Sequence, residues 1–271
     1  MIEYYATTQK GRNHIENEDR VMVCGTVIAA GTQEGTTDKA LFATVSDGVG
    51  GHPGGAKAAQ IVSKVFGVYG ENPSTFVDIR CAAFASNSAI RQAQRQVPEQ
   101  RLMSTTVAGI WIRGNSVTAF NIGDSRVYRY AADDLELLTC DHTRAWELFK
   151  RGSISDPRCA PGSYRRTLER YLGGAENLCV PSLFNCAETA QNSTYLICSD
   201  GVWGKVSEPE LTAILASQHN LREKSEAALK LALQNGSTDD MSIILINYSG
   251  FLQETNHNTS ENQETTFQAL H

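Results

Sequence analysis

The chain has 271 residues, enough for a full hydrophobic core, and it fits one large domain better than two ordinary ones. Its 41% hydrophobic and 20% charged residues are typical of a soluble globular protein, and its net charge of -6 argues against binding to nucleic acid. No apolar run approaches the roughly 18 residues of a membrane span, and the first residues lack an export signal, so we expect a cytoplasmic protein without membrane contact.

The first half of the chain is rich in strand signals. We expect strands over residues 2–8, 21–30 and 40–46, then two helices, one beginning near Gly54 and one over about 74–96. Strands resume at 104–112 and 116–122, and Gly114-Asn115 between them suits a two-residue hairpin turn. A further pair of strands is predicted at 125–130 and 135–139.

Residues 141–178 break this pattern with short helical pieces, glycines and prolines. Because segments of this length in a globular domain are usually functional or mobile, we interpret them as a flap inserted at the surface. Beyond the flap we expect strands at 180–184 and 193–199, helices at about 207–217 and 221–235, and a last strand at 241–247. Residues 249–271 are polar and are predicted to form a flexible tail.

The grouping of these elements predicts the fold class. Strands and helices come in separate groups instead of alternating, which favours antiparallel sheets with helices packed outside them. With about ten strands, two stacked sheets are more plausible than one. The prediction is an α+β protein with a four-layer α/β/β/α sandwich and a candidate site at one edge of the stack.

Acidic residues stand where apolar runs begin or end. Aspartates lie at the ends of four such runs, and Glu18-Asp19 precede another; the four are Asp47, Asp124, Asp200 and Asp239, the last followed by Asp240. A single Asp-Gly after a strand is most often a turn, so the prediction depends on the combination. Because packed strands bring their ends together, these carboxylates predict an oxygen-ligated metal site.

The cysteines point away from other kinds of site. Seven cysteines are scattered without a Cys-x-x-Cys pair, which argues against structural zinc and against a disulfide framework, and fits a reducing cytoplasm. Cys159 and Arg165 match the Cys-x5-Arg pattern of cysteine-dependent phosphatases. No buried strand is predicted to lead into this segment, so we regard this alternative as remote.

The acidic residues occur in motifs that resemble a known family. The motifs follow one another in the order seen in metal-dependent protein phosphatases of the PP2C type, and the likeness covers residues 2–248 and is greatest to bacterial members. They are Asn17-Glu18-Asp19, Ser46-Asp-Gly-Val-Gly-Gly-His52, Ser104-Thr-Thr106, Ile122-Gly-Asp-Ser-Arg-Val-Tyr128, Leu138-Thr-Cys-Asp-His142, Cys198-Ser-Asp-Gly-Val-Trp203 and Ser237-Thr-Asp-Asp-Met-Ser242. Residues 1–248 would accordingly be a phosphatase domain, with the flap at about 141–178.

The resemblance implies a role for each acid. Asp47 is similar to the carboxylate that bridges two manganese or magnesium ions, and the Gly48 carbonyl resembles an extra ligand of one of them. Asp200 and Asp239 match the carboxylates that hold the other ion. Glu18 and Asp19 match acids that bind metal directly or through its waters, and Asp124 matches a position that, with Asp200, holds a weaker third ion in bacterial relatives.

The resemblance also implies an activity. Mg²⁺ and Mn²⁺ prefer oxygen ligands, and two ions about 3.5–4 Å apart can share one water and lower its pKa, so that a bridging hydroxide attacks phosphorus. The expected function is hydrolysis of phosphoserine and phosphothreonine in proteins, reversing a bacterial Ser/Thr kinase, by a monomeric enzyme. The competing interpretation is a non-catalytic module with the same fold that binds phosphorylated proteins.

Three departures from the family pattern concern the surroundings of the metal site. The arginine that grips the phosphate in the family is replaced by His14, with Arg12 two residues earlier, so either side chain is a candidate for the grip. Asp240 stands where an asparagine is usual. Val49 stands where animal relatives have a histidine proposed as general acid, which leaves His52 as a substitute proton donor, although a loop role for it is the more plausible one.

Overall fold

The computed structural model describes residues 1–38, 40–49, 53–72, 78–185 and 192–249. Within these ranges the strands are β1 Ile2–Gln9, β2 Arg20–Val23, β3 Thr26–Ile28, β4 Gly31–Thr37, β5 Ala40–Ser46, β6 Val107–Arg113, β7 Ser116–Ile122, β8 Arg126–Ala131, β9 Asp134–Leu137, β10 Ser182–Asn185, β11 Ser193–Cys198 and β12 Met241–Tyr248. The helices are α1 Gly55–Gly70, α2 Ile79–Gln96, α3 Arg144–Lys150, α4 Gly162–Arg166, α5 Asp200–Trp203, α6 Glu208–Ala216 and α7 Leu221–Gln234.

The strands form two six-stranded sheets in which the neighbours pair antiparallel. Sheet I has the order β4-β1-β12-β11-β8-β9, and sheet II has the order β10-β7-β6-β5-β2-β3. Strands that are far apart in sequence pair in both sheets. In sheet I, for example, β1 pairs with β12, and Ile2 lies opposite Tyr248. The first and last strands of the described domain are therefore neighbours in sheet I.

The core between the sheets follows from alternation along the central strands. In β5, Leu41, Ala43 and Val45 join the cluster between the sheets, whereas Phe42 faces the other way, toward the helices. Successive side chains of a strand point to opposite faces, and both faces of β5 are covered, so all seven of its residues are buried. The continuous apolar run at 40–46 thus reflects burial on both sides.

The helices form the two outer layers of the sandwich. Helices α1 and α2 cover sheet II, where the rings of Phe42, Phe66 and Phe120 stack at centroid distances of 5.7–6.2 Å. Helices α6 and α7 cover the outer face of sheet I, with Leu211 and Leu229 among the buried contacts. The predicted four-layer α/β/β/α sandwich with antiparallel sheets is confirmed.

Near the start of the chain one predicted strand was wrong and one observed strand had not been predicted. Residues 21–30 do not form one strand, because Cys24 and Gly25 adopt positive φ angles of 45° and 85° and turn the chain between β2 and β3. Strand β4 was not predicted, because Gly31–Thr37 is a polar edge strand with no alternation of apolar residues. The hairpin at Gly114-Asn115 is confirmed by the pairing of Arg113 with Ser116.

The segment predicted as a flap contains α3, α4 and short 3-10 turns. Its two ends are attached to the sandwich beside the strand ends: the His142 backbone N–H donates to the Gly123 carbonyl at 2.9 Å, and Leu172 and Thr105 exchange backbone hydrogen bonds of 2.9 and 3.0 Å. The predicted tail lies outside the described residues, apart from Ser249. Among the helices described, none combines the length and apolarity needed to cross a membrane.

Candidate metal centre

The strand-end acids meet at one edge of the two sheets. Asp19 immediately precedes β2 and Asp47 follows β5, and these strands pair with Arg20 opposite Ser46, so the two carboxylates emerge side by side from sheet II. In sheet I, β11 pairs with β12 so that Cys198 lies opposite Ile243. Asp200 follows β11 and Asp239 precedes β12, and both therefore emerge at the same end of sheet I.

Neighbouring backbone and hydroxyl groups fix Asp47 and Gly48. The Asp47 carbonyl accepts hydrogen bonds from the Thr106 backbone N–H at 2.8 Å and from Thr105 Oγ1 at 2.7 Å. The Gly48 N–H donates to the Glu18 carbonyl at 3.2 Å. A Cβ on Gly48 would lie only 2.5–2.8 Å from the Gly55 backbone, so only glycine permits this close approach of loop and helix.

Asp19 has a buried carboxylate oxygen suited to a cation. The residue is 1% exposed, and its Oδ2 accepts a hydrogen bond of 2.7 Å from Ser199 Oγ. Its Oδ1 is buried and has no hydrogen-bond partner among the described residues. Because an unpaired buried carboxylate oxygen is costly, this oxygen fits a position that faces a bound metal ion.

The pKa values of these acids are raised because the acids are buried close to one another. Burial raises the pKa of Asp47 well above its ordinary value, and the charges of Asp19, Asp200, Asp124 and Asp239 raise it further. Burial, with neighbouring charges, raises the pKa of Asp19 to about 7 and that of Asp200 to about 6. Buried like charges cannot all ionise without a counter-charge, so the cluster fits hard divalent cations.

Asp124 belongs to the same cluster but has a further neighbour of opposite charge. Burial and then the charges of Asp200 and Asp141 raise its pKa, while Arg126 opposes that rise. Arg126 Nε and Nη2 donate to the two oxygens of Asp141 at 2.9 and 2.8 Å, and its guanidinium stacks on Trp203 at 3.6 Å. This arginine links the loop of Asp124 to the start of the flap and to the helix that Asp200 begins.

Asp240 directly follows the metal-ligand candidate Asp239 and is hydrogen-bonded to the loop of residues 11–18. It is 2% exposed, and its Oδ1 accepts a hydrogen bond from the Gly11 N–H at 2.7 Å. Its Oδ2 accepts one from the Glu18 N–H at 2.6 Å and lies 2.8 Å from His14 Nδ1. The carboxylate thus positions the backbone that carries Glu18 and His14.

His14 lies at the rim of the cluster, where its other ring nitrogen, Nε2, is 3.5 Å from Asp239 Oδ1. Ligand atoms of His14, Asp239 and Asp240 come within 4.8 Å of one another, a closer grouping than the structure shows for the buried aspartates. Both Asp240 oxygens already accept backbone hydrogen bonds, so we interpret this grouping as an ion pair at the rim. Burial lowers the pKa of His14, but the hydrogen bond and charge of Asp240 outweigh it and raise the pKa overall.

The remaining predicted residues are less closely associated with the cluster. Glu18 is half-buried, and burial raises its pKa. Arg12 is exposed and makes no hydrogen bond or ion pair within the described ranges. His52 lies outside the described residues. Cys159 is exposed at the end of a 3-10 turn, and no strand leads into it, so the segment Cys159–Arg165 lacks the setting of a cysteine-dependent phosphatase loop.

Sequence reasoning missed the residues that hold the acids in place. Ser199 and the pair Thr105-Thr106 lie inside the quoted motifs, but their roles were not predicted. Asp240 was singled out only because an asparagine is usual at its position. Their partners are distant in sequence, and Ser199, for example, contacts Asp19, 180 residues away. The one sequence signal that could have identified these residues is that each lies beside a metal-ligand candidate.

Comparisons with known proteins identify the family of this chain. Residues 29–234 match the family profile described as Protein phosphatase 2C. The Serine/threonine protein phosphatase PstP of Mycobacterium tuberculosis is 26% identical over 248 residues, which cover 90% of this chain and 45% of that protein, so the chain spans about half the length of this relative. The Serine/threonine phosphatase stp of Listeria innocua is 27% identical over 246 residues, covering 88% of this chain and 93% of that protein.

Solved structures lead to the same family. The crystal structure of the Mycobacterium tuberculosis serine/threonine phosphatase PstP/Ppp matches with a TM-score of 0.76 at 27% identity, covering 91% of this chain and 98% of that chain. The PstP catalytic domain in complex with 2 manganese ions matches with a TM-score of 0.72 at 26% identity, covering 91% and 99%. Since the family profile covers well over half of its residues, this chain belongs to the protein phosphatase 2C family.

Proposed function

We propose that this chain is a metal-dependent phosphatase that hydrolyses phosphoserine and phosphothreonine in proteins. The observation that carries the proposal is the buried Asp19 Oδ1, which has no partner among the described residues and belongs to a cluster of aspartates whose pKa values are raised. Family membership and the names of the relatives support the same activity. The alternative of a non-catalytic binding module is not favoured, because the acids expected to hold metal converge.

The donor set fits two manganese or magnesium ions, the metals implied by the resemblance; the PstP structure in complex with two manganese ions supports this choice. In this proposal Asp47 would be shared by the two ions, the Gly48 carbonyl would bind one of them, and Asp200 with Asp239 would hold the other. Glu18 and Asp19 bind directly or through water, and Asp124 with Asp200 offers a weaker third position. Bound ions would supply an activated water and positive charge for the phosphate.

His14, and not Arg12, is proposed to contact the substrate phosphate. Its Nδ1 is held by Asp240 at 2.8 Å, which leaves Nε2 at the rim of the acidic cluster, 3.5 Å from Asp239 Oδ1. The raised pKa of His14 favours the imidazolium form, which can donate to a phosphate oxygen. Arg12 has no comparable support from its surroundings. His52 stays a predicted proton donor outside the described residues.

The substrates proposed are proteins phosphorylated on serine or threonine by a partner kinase, with residues 1–248 as the phosphatase domain and residues 141–178 as its flap. The attachment of the flap at Gly123 and Thr105, next to the metal-ligand candidates, supports a role near the bound substrate. A monomeric state and a cytoplasmic location stay predictions from the sequence.

The direct experiment is phosphate release from a phosphothreonine peptide, measured with Mn²⁺, with Mg²⁺ and after chelation. Wild-type protein should release phosphate only with metal, and Asp47→Asn should abolish the release. Asp133→Asn, a change in the exposed turn before β9, is the matched control and should leave the rate unchanged. Release by wild-type protein that is no faster than release by Asp47→Asn would refute the proposal.

A companion variant separates the metal-dependent route from the cysteine-dependent one. Cys159→Ser should retain metal-dependent release, because the thiol is exposed and lies outside the acidic cluster. Complete loss of release in this variant would instead support the thiolate chemistry of Cys159 and Arg165.

A further inference from the structure

A groove beside the metal centre runs along the outer face of α1. It has a volume of about 400 Å³. Its lining includes Lys57, Gln60, Ile61 and Lys64, which follow one another at helical spacing along α1, together with Glu16 and Gln100. Both lysines are exposed, whereas Ile61 is half-buried, so the lining places an apolar residue between two cations. We call this feature the α1 groove.

The α1 groove opens next to a proposed metal ligand. Gly54, at the start of α1, lines the groove, and its neighbour Gly55 packs against Glu18: a Cβ on Gly55 would lie 2.9 Å from the Glu18 carboxyl carbon. On the other side, Glu16 is two residues before Glu18. A peptide whose phosphorylated side chain reached the metal centre could therefore continue directly into the groove.

The helix layer formed by α1 and α2, which contains the α1 groove, differs in charge from the rest of the molecule. Helices α1 and α2 contain five basic residues and no aspartate or glutamate, although the chain carries a net charge of -6; the five are Lys57, Lys64, Arg80, Arg91 and Arg95. Helices α6 and α7 on the opposite face mix both signs, with Glu223 and Glu226 beside Arg222. The helix layer that contains the groove is thus positive in an acidic protein.

Within the groove the two lysines are the cations open to a ligand. Arg20 also lines it, but its guanidinium is occupied, since Nη1 donates to the carbonyls of Asn17 and Asp19 at 2.6 and 2.7 Å and Nε donates to Gln60 at 2.8 Å. Lys57 has one weak contact, 3.3 Å to Gln100 Oε1. Glu16 is the single acid of the lining.

The spacing of the lysines suits an extended chain. Lys57 and Lys64 are seven residues apart on one helix, a separation of about 10.5 Å along the axis. An extended peptide covers this distance in about three residues at roughly 3.3 Å each. The groove therefore matches two carboxylates about three positions apart on a peptide that crosses Ile61.

We propose that the α1 groove binds acidic side chains flanking the phosphorylated residue of the protein substrate, and that Lys57 and Lys64 select for them. This inference rests on the proposed phosphatase function and names the class of substrate sequence that the enzyme prefers. Exposed ion pairs contribute little individually, so each lysine should change affinity by about two- to fivefold. Complementary charge also speeds association at low salt.

The test compares two labelled phosphothreonine peptides of equal length, one with two aspartates three positions apart on one side and one with asparagines there. Their binding is measured by fluorescence anisotropy with Mn²⁺ present and with a non-hydrolysable phosphonate analogue at the phosphothreonine position, so the result does not depend on turnover. Wild-type protein should bind the acidic peptide about 4- to 20-fold more tightly, and Lys57→Glu/Lys64→Glu should remove or reverse this preference. Lys205→Glu/Lys230→Glu, which changes net charge equally at exposed positions outside the groove, should retain it.

Two further measurements complete the test. With Mn²⁺ present, Lys57→Glu/Lys64→Glu should hydrolyse p-nitrophenyl phosphate at the wild-type rate, because this small ester does not reach the groove. Equal binding of both peptides by wild-type protein, or an unchanged preference in Lys57→Glu/Lys64→Glu, would overturn the proposal. An acidic preference in a protein that releases no phosphate would refute the proposed function and leave the groove assignment standing.

Discussion

His14 Nδ1 lies 2.8 Å from Asp240 Oδ2, so two of the three residues that depart from the family pattern contact each other at the candidate metal centre. An arginine and an asparagine are expected at these positions, and here a histidine and an aspartate form an ion pair across 226 residues of sequence. The aspartate provides the negative charge that holds the imidazole and raises its pKa. The two departures therefore belong to one arrangement and should be tested together.

His14→Ala should lower kcat/KM for a phosphothreonine peptide by about 10-fold or more, because a charge-assisted hydrogen bond to the phosphate is lost. His14→Arg should stay within a few-fold of wild type, since the guanidinium supplies the same charge. Arg12→Ala is the matched control and should change the value less than twofold. A large loss in Arg12→Ala with little loss in His14→Ala would reverse the assignment of the phosphate contact.

Asp240→Asn should destabilise the metal-free protein by about 1–3 kcal/mol relative to Asp239→Asn, as measured by chemical denaturation. Gly11 N–H and Glu18 N–H donate to different oxygens of Asp240, and an asparagine offers one oxygen, so one buried donor must face an amide NH₂ group. Asp239 is the matched neighbour, because its side chain is 49% exposed. Equal stabilities of the two variants would show that Asp240 does not hold the loop.

The metal-free protein should lose stability as the pH rises from about 5 to about 8. Burial and neighbouring charges raise the pKa of Asp200 to about 6 and of Asp19 to about 7 in the folded protein. A group whose folded pKa is raised contributes stability below its unfolded value, near 4 for aspartate, and that contribution disappears as the pH passes the folded value. The loss should be on the order of a few kcal/mol and smaller in Asp19→Asn.

Metal binding should reverse this trend. The ions prefer the ionised carboxylates, so Mn²⁺ should raise the melting temperature more at pH 8 than at pH 5. At a concentration of 100 times Kd the stabilisation of one site amounts to about 2.7 kcal/mol. Thermal denaturation with and without chelator measures both effects. If stability without metal rose with pH over this range, the buried acids would not be the dominant titrating groups.

Ser199→Ala should weaken Mn²⁺ binding by about 10-fold, because Ser199 Oγ orients Asp19 through a hydrogen bond of 2.7 Å and such supporting contacts tune metal affinity. Ser237→Ala is the matched control: this serine is also buried and donates at 2.7 Å, but to the Gly201 carbonyl. Isothermal titration with Mn²⁺ compares the two. An equal effect of both changes would indicate general destabilisation instead of a specific role for Ser199.

Much of the architecture could be predicted because its signals are local. Alternation and continuous apolar runs locate strands such as β5 and β12, and helical spacing locates α1 and α7, so the four layers follow from the order of elements. Strand β4 escaped prediction because an edge strand needs no apolar face, and the break between β2 and β3 depends on positive φ angles at Cys24 and Gly25.

The acids of the candidate site were also identified from sequence, because each lies at the end of a predicted strand and within a motif that resembles the family. Sequence alone could not decide what each acid contacts. The orphaned oxygen of Asp19, the support of Ser199 and the contacts of Asp240 join residues that are far apart along the chain, and only the stacking of two sheets brings them together. Strand ends carry the ligand types, whereas tertiary packing sets their distances, burial and pKa values.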